Sequence, residues 1–239
     1  MTEEIFKHIP QWVTRFCING KNYGGADDLT NDPRIIRLSK LLSLSGKRVL
    51  ELGPLEGAHT LMLKRLGASE VIAIEGRVQN YVKCCVIKNL FHMDKCTFLL
   101  GDFSYKGNFP WATLGRFDLA VCIGVLYHVD EPAYVIRQLS EIADKLYLWS
   151  QIADEKYPHG PVMTLHAYGE NWRGRVHYEE HPTSPLSGFQ QSEFWLFRDD
   201  LIKMVRDFGF INVQVLDEGQ RRLTEDVASK YCLLFASKV

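Results

Sequence analysis

Three carboxylates follow short apolar runs at regular intervals along the chain. Glu51 falls near the end of KRVLEL (47–52), Glu75 closes VIAIE (71–75), and Asp102 follows Thr97–Leu100. Directly after the first run comes Glu51-Leu52-Gly53-Pro54-Leu55-Glu56-Gly57, where glycines let a backbone pass from strand to helix and approach a ligand closely. Glu75 lies 18 residues beyond Gly57, the spacing at which a strand-end carboxylate accepts from ribose hydroxyls. Asp102, with the ring of Phe103 beside it, suits an exocyclic amine and the face of a base. Each alone is a solvated strand end or a tight turn. Together, at three successive strand ends, they describe a nucleoside-shaped pocket.

The elements that must position these groups are legible in the hydrophobic pattern. From Lys47 onward, strand-like runs (47–52, 71–75, 97–100, 117–123, 146–152) alternate with helix-like ones (58–66, 78–91, 132–142). Continuous apolar strands separated by helices imply an α/β fold: a doubly wound, largely parallel sheet with ligands at the carboxyl ends of its strands. After a helix over 198–208, the runs 211–216 and 231–236 are joined by too little helical sequence for a crossover, so they should pair antiparallel. Residues 1–45 read as a helical, aromatic-bearing cap (Phe6, Trp12, Phe16, Tyr23) broken at Gly24-Gly25, with a second helix starting at Asp32-Pro33. Residues 153–195, which carry four of the eight histidines and seven aromatics, read as an inserted lid without regular structure of its own. The expected organisation is a single domain: cap 1–45, cofactor core 46–152, lid 153–195, and a closing helix and strand pair 196–239.

VLELGPLEG, VIAIEGR, GDF and FDLAVCIGVLYHVDEP resemble the successive motifs of class I S-adenosylmethionine-dependent methyltransferases. The likeness covers 46–152 closely and 194–238 more loosely, and Leu55 stands where the family usually has its middle glycine. GVLYHVDEP, the FW-x-x-R-x-x-L run and Glu218-x-Gln220-Arg221-Arg222 resemble the branch containing tRNA wobble-uridine carboxymethyltransferases and many small-molecule enzymes. The resemblance implies a Rossmann-like sheet with a terminal antiparallel strand and S-adenosyl-L-methionine as cofactor. It implies Glu51 near the methionine amino group, with Gly53, Pro54, Leu55 and Gly57 forming the turn. It also implies Glu75 and Gly76 at the ribose, Asp102 and Phe103 at the adenine, and Ile123-Gly124 beside the sulfonium. Acids at Glu51 and Glu56 suit an ammonium and a sulfonium, whereas a pyrophosphate prefers a bare helix N-terminus, so NAD is disfavoured.

Methyl transfer is an in-line displacement at an activated carbon, and a base is needed only where the nucleophile must lose a proton. Tyr127 and His128 follow the fourth strand, where acceptor and methyl should meet; His166 and His177 in the lid are the other catalytic candidates. A histidine there equally serves as a structural hydrogen-bond partner. His177-Tyr178-Glu179-Glu180-His181 matches an H-x-x-E-H zinc pattern, but Pro182 prevents the continuing helix that the pattern needs, so no metal is assigned.

The 28 Lys+Arg and 29 Asp+Glu give a net charge of −1, without the basic excess of a dedicated nucleic-acid binder. This ranks a small aromatic or heterocyclic, natural-product-type acceptor above a tRNA wobble uridine, and a non-catalytic cofactor-binding module is a third reading. Without a basic N-terminal leader or a long apolar stretch, the expectation is a cytoplasmic protein with no membrane partner. A homodimer is left open.

Overall fold

The computed structural model describes residues 2–155, 160–178, 183–188, 190–222 and 228–239. They form two compact units that divide after Gly101.

The first unit opens with α1 (Thr2–His8) and then an antiparallel hairpin, β1 (Arg15–Ile18) and β2 (Lys21–Gly24), where the sequence reading expects helix. Asn19-Gly20 makes the turn, both residues at positive φ (51° and 78°), the geometry for which Asn-Gly is suited in two-residue hairpins. The cap aromatics gather around the hairpin: Phe6 lies 4.5 Å from Trp12 and 5.3 Å from Tyr23, and Trp12 lies 6.0 Å from Phe16, centroid to centroid. Gly25 donates its N–H to Thr14 O, and a Cβ there would sit 2.1 Å from Val13 O. Backbone cannot retreat as a flexible side chain can, so Gly25→Ala should cost about 2 kcal/mol or more, read as a lower urea midpoint at unchanged slope. The second helix, α2 (Pro33–Leu41), starts where expected, with Asp32 capping it by accepting from Arg34 N.

Next come three parallel strands in the order β3 (Arg48–Leu52), β4 (Glu70–Glu75), β5 (Cys96–Leu100). The connections are α3 (Ala58–Arg65) and α4 (Val78–Leu90). The register Leu52↔Ile74 and Glu75↔Leu100 brings the carboxyl ends of β3 and β4 to one edge. Val71–Glu75 are all buried, which explains the unbroken apolar run of a strand covered on both faces.

In the second unit, β6 (Leu119–Ile123) and β7 (Lys145–Ile152) are parallel and connected through α5 (Pro132–Ile142). After α6 (Arg198–Asp207), β11 (Asn212–Arg222) and β12 (Ala228–Ser237) pair antiparallel, and β12 lies antiparallel on β7, the expected terminal reversal. The 153–195 segment departs from expectation. It contains β8 (Val162–Ala167) and β9 (Glu170–Tyr178), which form a three-stranded antiparallel sheet with β10 (Ser192–Leu196). Trp172, one of the seven aromatics of this segment, is fully buried: its indole N–H donates to Asp207 at 2.8 Å and its ring lies 5.6 Å from Phe208. Among the described residues no helix is long and apolar enough to cross a membrane.

Candidate active site

In the first unit the turn after β3 is left-handed at three positions: Gly53 (φ 63°), Leu55 (57°) and Gly57 (83°). Leu55 thus adopts the conformation that a glycine takes at its place in the motif, at a cost of roughly 1 kcal/mol. Its N–H donates to Glu75 Oε2 at 3.1 Å, which holds it there. Pro54 accepts from Gly57 N, and Gly76 passes the chain to Arg77, whose N–H donates to Glu75 Oε1 at 2.9 Å. Glu75 therefore ties the glycine turn to the end of β4. It is only 5% exposed, and burial pushes its carboxyl up to about 7 against these hydrogen bonds, which favour the charged form.

Glu51, on β3, is 1% exposed. Thr60 Oγ1 donates to its Oε2 at 2.5 Å, while Oε1 has no hydrogen-bond partner among the described residues and His59 Nδ1 stands 4.0 Å away. Burial raises its pKa, opposed by His59 and by the Thr60 hydroxyl. A buried carboxylate oxygen without a partner is costly, and this acceptor fits an ammonium group that would donate to it. His59 and Thr60, on the first turn of α3, were not singled out from sequence; their position just beyond the glycine turn was the available signal. His59 is in turn held by Asp32, its Nε2 2.9 Å from Oδ2. Although burial pushes Asp32 up, the bonds from His59 and Arg34 outweigh it and hold that carboxyl well below the ordinary range.

Glu56 lies elsewhere than the sequence expectation placed it. The sequence reading grouped it with Glu51 as acid offered to a cationic ligand, but it is fully buried and committed elsewhere. Oε1 accepts from Lys83 Nζ and Val13 N, each at 2.9 Å, and Oε2 from Thr14 N at 2.7 Å. The preference for a cation therefore rests on Glu51 alone.

In the second unit, Asp102 Oδ1 accepts from Ser104 N at 2.8 Å, Phe103 is buried, and a Cβ on Gly107 would strike Asp102 O at 2.0 Å. Ile123 ends β6, and Gly124 (φ 77°) donates to Trp149 O at 3.0 Å. A short 3-10 turn, Leu126–His128, follows. The Tyr127 hydroxyl comes within 3.9 Å of where a Cβ on Gly124 would be, and its ring lies 5.6 Å from Trp195 and 6.1 Å from Trp149. His128 Nδ1 is 2.5 Å from Oε1 of Glu193, a β10 side chain only 2% exposed. Trp195 Nε1 donates to the other oxygen at 3.2 Å. His177 pairs directly opposite Glu193 across the β9–β10 ladder, with its ring 5.0 Å from Trp195.

The structure thus brings Tyr127, His128 and His177 into one cluster. His166 is instead exposed and hydrogen-bonded to Asn171 across the β8–β9 hairpin. Glu193 and Trp195 were missed from sequence, although SEFWL reads as a strand with an acid among apolar positions. The His177–His181 pattern, like Tyr157 and His159, falls largely or wholly outside the described residues. A separate cavity of about 520 Å3 in this unit is lined by Ile152, Asp154, Phe197, Arg198, Glu218 and Tyr231 among others.

An α/β chain with a left-handed glycine turn after its first parallel strand, acids at successive strand ends and a terminal antiparallel strand is built as a class I S-adenosylmethionine-dependent methyltransferase. The chain belongs to the methyltransferase-domain family, whose model matches residues 28–215. It is similar to the N-terminal domain of EvdMO1 crystallised with SAH bound: 26% identity, TM-score 0.81, over 99% of this chain and 95% of that one. Against the chain in the crystal structure of EvdMO1 it spans 46% of that chain's length. The magnesium protoporphyrin IX methyltransferase of Synechocystis PCC 6803, with bound SAM, shares the fold at 16% identity and TM-score 0.55, over 90% of this chain and 86% of that one. Among curated proteins, the tRNA U34 carboxymethyltransferase of Campylobacter hominis is 25% identical over 107 residues, 43% of this chain and 34% of that enzyme. The match therefore spans about a third of that relative's length.

Proposed function

We propose that the protein transfers the methyl group of S-adenosylmethionine to an oxygen or nitrogen of a small aromatic or heterocyclic metabolite. The observation that carries the donor half is Glu51, a buried carboxylate with one oxygen unpartnered among the described residues, on the strand that leads into the left-handed turn. In this reading Glu51 receives the methionine ammonium, Gly53, Pro54, Leu55 and Gly57 contour the turn, and Glu75 beside Gly76 accepts from the ribose. Asp102 and Phe103 take the adenine, and Ile123 and Gly124 border the sulfonium. The cofactor supplies an already activated methyl carbon, so the chain's task is to align an acceptor with it and exclude water.

For the acceptor, support comes from the near-neutral charge and from the aromatic surroundings of Tyr127 and Trp149. The EvdMO1 domain was also crystallised in the presence of SAH and D-fucose, which favours a small acceptor. The curated relative favours tRNA as a second reading. Calorimetry with S-adenosylmethionine and S-adenosylhomocysteine tests the donor half. Binding is expected, weakened about tenfold or more by Glu75→Ala and by Asp102→Ala, since each removes hydrogen bonds to a charged group; absent binding, or binding indifferent to both changes, refutes it. A tRNA gel shift that persists at low salt and dissolves at high salt would move the acceptor to RNA.

A further inference from the structure

We propose that Glu193 is a positioning residue that fixes His128 with its proton on Nδ1, leaving Nε2 free to accept the proton of an acceptor hydroxyl. This rests on the methyl-transfer reading above and narrows its acceptor from oxygen or nitrogen to oxygen.

Glu193 sits on β10 at 2% exposure, where a carboxylate without partners would be strongly disfavoured. It has two: Trp195 Nε1 donates to Oε2 at 3.2 Å, and His128 Nδ1 lies 2.5 Å from Oε1. An ionised carboxylate only accepts, so the shared proton belongs to Nδ1. In a neutral imidazole the other nitrogen is then a lone-pair acceptor, and the tautomer is set by the partner rather than by the ring's own slight preference. The histidine side chain keeps 19% exposure, and Nε2 has no hydrogen-bond partner among the described residues. The dyad is also packed in place: a Cβ on Gly188 would come within 3.0 Å of Glu193 Oε1 and 3.1 Å of His128 Cβ. Among the described residues, the other titratable groups facing it are His177, opposite Glu193 in the ladder, and Tyr127, whose ring centroid is 4.1 Å from that of His128.

The chemistry follows from the tautomer. As the acceptor oxygen uses a lone pair to form the O–CH3 bond, its hydrogen passes to Nε2 of His128. The electron pair of the breaking C–S bond stays on sulfur, giving a thioether, and the imidazolium then releases its proton to solvent. A neutral amine already has a lone pair available and loses its proton easily after transfer, so a poised base has most to offer a hydroxyl.

The test uses the full chain and needs no identified acceptor. Long-range 1H–15N spectra of the histidine rings report which nitrogen carries the proton. Wild type is expected to show His128 with Nδ1 protonated and Nε2 bare, and Glu193→Gln to shift the tautomer ratio toward Nε2–H by about tenfold or more, the worth of a hydrogen bond to a charged group. A proton on Nε2 in wild type, or a ratio unchanged by Glu193→Gln, overturns the proposal. The wild-type spectrum is decisive even where the variant fails to fold. Diethyl pyrocarbonate, which attacks a bare imidazole nitrogen, should modify His128 in the free chain, as read by mass spectrometry, and S-adenosylhomocysteine should protect it. Modification that bound S-adenosylhomocysteine leaves unchanged places the dyad away from the donor and overturns its catalytic use. If calorimetry shows no S-adenosylhomocysteine binding, the methyl-donor reading fails, whereas a wrong tautomer with intact binding fails this inference alone.

Discussion

Lys83→Met is expected to destabilise the protein by about 3–5 kcal/mol, the usual cost of removing one partner from a buried ion pair. Lys83 is 1% exposed, its ammonium 2.9 Å from Glu56 Oε1, 2.5 Å from Gln11 O and 5.3 Å from the centre of the Trp12 ring. Methionine fills most of the volume and keeps the apolar stem, so the loss measures the charge and not a cavity. What remains is the Glu56 carboxylate, fully buried and still held by the N–H groups of Val13 and Thr14. Any rearrangement that re-satisfies this carboxylate acts on the residue between Leu55 and Gly57. The same variant should therefore weaken S-adenosylhomocysteine binding, although Lys83 is not assigned any contact with the ligand. Urea denaturation supplies the first number and calorimetry the second. Lys203→Met is the control: Lys203 is paired with Glu170 and Asp207 but about half exposed, and such pairs are worth little. A Lys83→Met loss no larger than that of the control would show that the pair is dispensable.

The contrast between Glu51 and Glu56 marks how far the sequence could be read. The strands β3 and β4, the helices after them and the strand reversal at the end were legible because each is a run of one hydrophobic period. Two acids five residues apart in a glycine turn are chemically identical on paper. Which one faces a ligand and which one anchors the N-terminal segment depends on Lys83, a partner 27 residues downstream of Glu56 that no local pattern announces. The dyad has the same character. His128 stood out from its place after the fourth strand, while Glu193, 65 residues on, is recognisable only once β10 is packed. The hairpin over residues 15–24 is a different kind of miss, since Asn19-Gly20 is a local turn signal that the surrounding aromatic pattern outweighed. The 153–195 segment was read as irregular because glycines, prolines and charges interrupt its strands. Its second sheet is nonetheless pinned to α6 by Trp172, through the bond to Asp207.

Glu75 contributes a fall in the stability of the free protein as pH rises from about 4.5 to about 7. Below that window the carboxyl is protonated in folded and unfolded chains alike. Within it the unfolded chain, near the ordinary value of 4.5, has released its proton, while the folded chain keeps it until about 7 because burial disfavours the charge. The folded state then binds more protons, so the slope with pH is negative, at most about 1.4 kcal/mol per unit. Glu75→Gln removes the titration, and the difference in urea stability between variant and wild type should grow in the variant's favour across the window and level off above it. Ligand binding should carry the opposite sign. Ribose hydroxyls donating to Glu75 favour its ionised form, so S-adenosylhomocysteine must displace a proton when it binds below pH 7. Its affinity should then rise with pH by up to about tenfold per unit until the free carboxyl is ionised, with proton release seen as a buffer-dependent heat. Glu75→Gln should bind more weakly at pH 8 and show neither the slope nor the proton. A pH-independent affinity in wild type would mean that the ribose does not meet this carboxylate, whatever else the turn holds.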